Sequence, residues 1–94
     1  MIARISIHPS GPARFHYAVT AEGEELYSDD GLGSIIHCLA AAIEGMGEEV
    51  KAAELAYGDI VSGTYPLEVL ATRPGDVAQH AINTTTAVLQ VLNE

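Results

Sequence analysis

Two stretches of strict alternation near the start of the chain leave little choice of local fold. From Ile2 to His8 the residues Ala3, Ile5 and Ile7 share one side, and Arg4, Ser6 and His8 share the other. Arg14 to Ala21 repeats the pattern with Phe15, Tyr17 and Val19 on its apolar side. A period of two is the mark of a strand with one buried face. Pro9-Ser10-Gly11-Pro12 breaks the chain between them. A connection centred near Pro12 sets Ile7 against Tyr17 and Ile5 against Val19, and a slip of one residue would turn one apolar face to water. The two stretches are therefore predicted to form a hairpin with one apolar face.

That face needs cover, and the chain supplies it further along. Leu32, Ile35, Ile36, Leu39, Ile43 and Met46 fall at helical spacing and form one apolar stripe. Ser34 or Asp30 can cap this helix at its start, and Gly45 and Gly47 stop it. Between hairpin and helix, Glu22-Gly23 reads as a second turn into a short strand, Glu24 to Ser28. A two-residue turn would point Leu26 inward, and a bulged three-residue turn would point Tyr27 inward.

Beyond the helix, Val50 to Tyr57 and Ile60 to Tyr65 read as a hairpin across Gly58-Asp59. One face carries Ala53, Leu55, Tyr57 and Ile60, the other Ala52, Ala56, Val61 and Tyr65. Neither is plainly polar, which predicts a helix on one side and another subunit on the other. Pro66 suits a first helical position, with Leu67 to Ala71 forming about one and a half turns. Thr72 to Gly75 interrupts, and Asp76 opens a last helix with Val77, Ala81, Thr85, Val88 and Leu92 on its apolar side and Ala78, Ile82 and Leu89 flanking it. Thr84, Thr85 and Thr86 lower its helix propensity, so packing must hold it. The expected architecture is an α+β fold of order β-β-β-α-β-β-α, with an antiparallel sheet of about five strands built from hairpins and helices mainly on one face.

The length of 94 residues predicts a single domain over residues 1–94. Charged residues are only 18% of the chain, below the roughly 25% of ordinary globular domains. Part of the surface is therefore neutral or apolar, and a homo-oligomer would bury it. The net charge of −9 sets thirteen acidic residues against Arg4, Arg14, Lys51 and Arg73. Four cations do not make the basic patch that direct nucleic acid binding or an anionic membrane surface requires. A basic protein is the partner such a surface would attract. Cys38 is the single cysteine, so no intrachain disulfide is expected and a cytoplasmic setting is the default.

Few residues group in a way that could carry chemistry. In the hairpin register above, His8 lies opposite His16, and Arg4 and Arg14 share their side. Two histidines could begin a metal site, but a closed zinc site takes four ligands and these strands carry no carboxylate, so no metal is assigned. The two arginines could instead receive a small anion. His37 and Cys38 are adjacent on a helix and diverge by about 100 degrees, so they do not form a nucleophile–base pair, and Cys38 reads as a small packing residue. Asp29-Asp30-Gly31-Leu32-Gly33-Ser34 precedes a helix but lacks dinucleotide or phosphate-loop spacing, and reads as turn and cap. Glu24-Glu25, Glu48-Glu49 and His80 fall where charged groups meet water. No motif asks for a cofactor.

Two readings follow. One is a small acidic protein-interaction or regulatory domain, expected to be a homodimer, using the outward side of the central helix with Ala41 and Cys38. The other is a small-ligand- or metal-binding protein, or a small enzyme, that uses Arg4, His8, Arg14 and His16. The first accounts for more of the sequence.

Overall fold

The computed structural model describes residues 2–46 and 50–92. Strands β1 (Ile2–Gly11), β2 (Arg14–Ala21) and β3 (Glu24–Leu32) lead into helix α1 (Ile35–Glu44), followed by β4 (Ala52–Tyr57), β5 (Ile60–Pro66), α2 (Leu67–Thr72) and α3 (Pro74–Leu92). The fold is α+β, with five strands in the order β3-β2-β1-β4-β5. The sheet is mixed: β1 and β4 run parallel, with Ala3 beside Ala53 and Ile5 beside Leu55. This corrects the expectation of a purely antiparallel sheet. Hairpins do supply the other three pairings, but α1 crosses over between the two hairpin units and returns the chain in the direction of β1.

The first hairpin pairs Ile5 with Val19, Ile7 with Tyr17 and His8 with His16. At Glu22 and Gly23 both φ angles are positive, 55° and 80°, the mirror-image turn that matches strand twist. Ala21 then pairs with Glu24, so the turn has two residues. A bulge one step later leaves Leu26 outside the ladder and pairs Tyr27 with Val19. The bulge, not the turn, brings Tyr27 to the inner face. A second bulge, between Leu55 and Ala56, sets Tyr65 opposite Ala53. Tyr65 thus shares the inner face with Ala53 and Leu55, against the expectation that it faced outward with Ala52 and Ala56.

The inner face and the helices form one core of Ala3, Ile5, Ile7, Tyr17, Val19, Ala53 and Leu55 with Ile35, Cys38, Leu39, Ala42, Leu70, Val77, Ala78 and Ala81. Ser34 caps α1, its Oγ accepting the N–H of His37, and Gly45 ends it. The expected second stop, Gly47, lies outside the described residues. The buried side of α1 is Ile35, Cys38, Leu39 and Ala42, while Ile36 is 43% exposed. The helix is therefore rotated from the Ile-rich stripe so that small residues meet the sheet closely. Cys38 does not belong to an outward side, as the interaction reading had supposed. The short Leu67–Thr72 helix lies between the two long ones, and the break before α3 is confined to Arg73, since the helix begins at Pro74.

Gly45 is needed for space. Its φ of −85° suits any residue, but a Cβ would lie 2.8 Å from Tyr27 Cζ. The Tyr27 ring cannot yield easily, because its hydroxyl donates to the Ala42 carbonyl and its ring packs edge-on against Tyr17 with centroids 6.4 Å apart. Gly45→Ala is expected to cost about 1–3 kcal/mol by overpacking, where an unhindered site would gain from alanine. A lower urea midpoint at unchanged slope is the measurement that checks it.

Candidate functional site

The helices cover only the inner face of the sheet, and the side chains singled out in the sequence gather on the other. His8 and His16 are register partners on β1 and β2, Arg4 lies four residues back along β1, and Arg14 pairs with Gly11 at the hairpin end. All four are thus on one side of one hairpin. The structure adds carboxylates that the hairpin itself lacks. Parallel pairing sets Glu54 beside Arg4, with Nε 2.6 Å and Nη2 2.5 Å from Oε1. The β4–β5 turn brings Asp59 Oδ1 to 3.0 Å from His8 Nε2. From β3, Asp30 accepts the Ser10 hydroxyl at 2.7 Å and the Gly31 N–H at 2.7 Å. The Ser10 hydrogen bond, then that of Gly31, hold the Asp30 carboxyl below the usual carboxylate range, aided by the charges of Arg14 and His16.

Two of the four, Arg4 and His8, are thus each paired with a carboxylate, and Arg14 and His16 act on Asp30 only through their charge. Exposed pairs of this kind each contribute about 0–1 kcal/mol. Among the described residues no group of three or more His, Cys, Asp or Glu side chains is placed to hold a metal ion. Asp29 to Leu32, expected in a turn, instead continue β3, with Asp29 Oδ1 accepting the Asp30 N–H, and Ser34 caps α1 as expected.

Cys38 is fully buried, and burial pushes its thiol up to about 11, with a smaller contribution from the Asp29 charge. It stays protonated and away from water, while its neighbour His37 is exposed. Glu24, Glu25 and His80 are exposed as expected, and Glu48-Glu49 lies outside the described residues.

A second surface was missed in the sequence. Helix α3 packs on β4 and β5 through Val77, Ala78 and Ala81, and Thr85 Oγ1 lies 3.4 Å from the carbonyl of Tyr57, the last residue of β4. Past that point the helix overruns the sheet, and residues 86–92 are exposed. Val88 and Leu92, expected on the buried side, are 36% and 72% exposed, with Leu89 and Val91 beside them at 47% and 68%. Alongside, Phe15, Ser34, Ile36, Ala78, Gln79 and Ile82 line a groove of about 300 Å³ between the start of α1 and α3. The signal was present in the sequence as the absence of any Asp, Glu, Lys or Arg from Val77 to Leu92.

No family model, curated protein or solved structure matches this chain. Among the described residues no helix is long and apolar enough to cross a membrane.

Proposed function

We propose that this chain is a protein-interaction domain that acts as a homodimer, working by binding rather than by catalysis. The observation that carries the reading is the overrunning half of α3, where Val88, Leu89, Val91 and Leu92 all stand in water. Contiguous apolar surface of this kind marks an interaction site. The face with His8, His16, Arg4 and Arg14 supports the same choice from the other direction, since Glu54 and Asp59 engage Arg4 and His8. With α3 engaged by a second copy, the acidic remainder of each protomer stays free for a regulatory partner of basic surface.

Native mass spectrometry and sedimentation equilibrium test the reading. A species of twice the chain mass is expected, with no added mass. Each protomer carries a net charge of −9, so like charges oppose assembly and salt screens that opposition. Association should therefore tighten as ionic strength rises. A monomer at all salt concentrations, or a complex that dissociates with added salt, would count against it.

A further inference from the structure

We draw no further inference here: the strongest candidate, the apolar groove between the start of α1 and α3 beside Phe15, Ile36 and Ile82, is an unpartnered surface, and nothing in the structure shows what covers it.

Discussion

Leu39→Ala is expected to cost about 3–5 kcal/mol of folding stability. Leu39 is fully buried near the middle of α1, in the same core as Ile5 and Leu55 of the sheet and Val77 and Ala81 of α3. Removing its branched end forfeits the transfer free energy of the lost carbons and leaves a cavity that sheet and helices cannot both close. For a domain of this size each kcal/mol moves the melting temperature by roughly 4–8 °C, so a drop of roughly 12 °C or more is expected in thermal melts at fixed protein concentration. Ile36→Ala, three residues earlier on α1, removes a side chain that is already 43% exposed and should cost under about 1 kcal/mol. Equal effects from the two variants would mean that α1 is rotated relative to the packing described above.

Raising the pH from 8 to 11 is expected to lower the stability of the folded protein. Burial raises the Cys38 thiol from 9.0 to about 11, and it also raises the hydroxyls of Tyr17 and Tyr27 above 10.0. Each group then binds its proton more tightly in the folded chain than in the unfolded one. The associated stability is fully present below pH 9 and is lost as pH rises through the folded values, because only the unfolded chain ionises freely. The larger shift is that of Cys38, and the tyrosines add in the same direction. Urea midpoints between pH 8 and pH 11 should fall steadily, and in Cys38→Ala the fall should be shallower. A profile flat to pH 11 would mean that the thiol is not held away from water.

Legibility in the sequence followed the range of the forces involved. The register of the first hairpin follows from Ile5, Ile7, Tyr17 and Val19 together with the turn at Pro12, since the apolar faces exclude a slip of one residue and the turn position selects among the rest. The Ser34 cap and the break before α3 are equally local. The parallel seam between β1 and β4 has no such signature, and neither periodicity nor turn chemistry points to it. The carboxylates that meet Arg4 and His8 arrive across this seam from Glu54 and Asp59, so the candidate face looked more cationic in the sequence than it is. Bulges at Leu26 and between Leu55 and Ala56 exchange faces without altering the residue pattern, which hid the inward turn of Tyr65. On α3 the apolar period continues through Val88 and Leu92 although the sheet beneath ends at Tyr57, because periodicity does not record where a partner surface stops.

The parallel seam also orders the events of folding. β1 pairs with β2 through a tight turn, and β4 pairs with β5 in the same way, so both units can close within microseconds from their own residues. The seam joins residues fifty positions apart, as Arg4 and Glu54 are, and closing a chain of that length costs about 3.5 kcal/mol beyond its constant term. Nothing local compensates this loss, so docking of the two hairpin units is the slow step. On a ribosome the first three strands would emerge and pair while one edge of β1, the centre of the finished sheet, still awaits its neighbour. During that interval the open edge is the site most prone to pairing with another nascent chain, and the arrival of β4 ends the exposure.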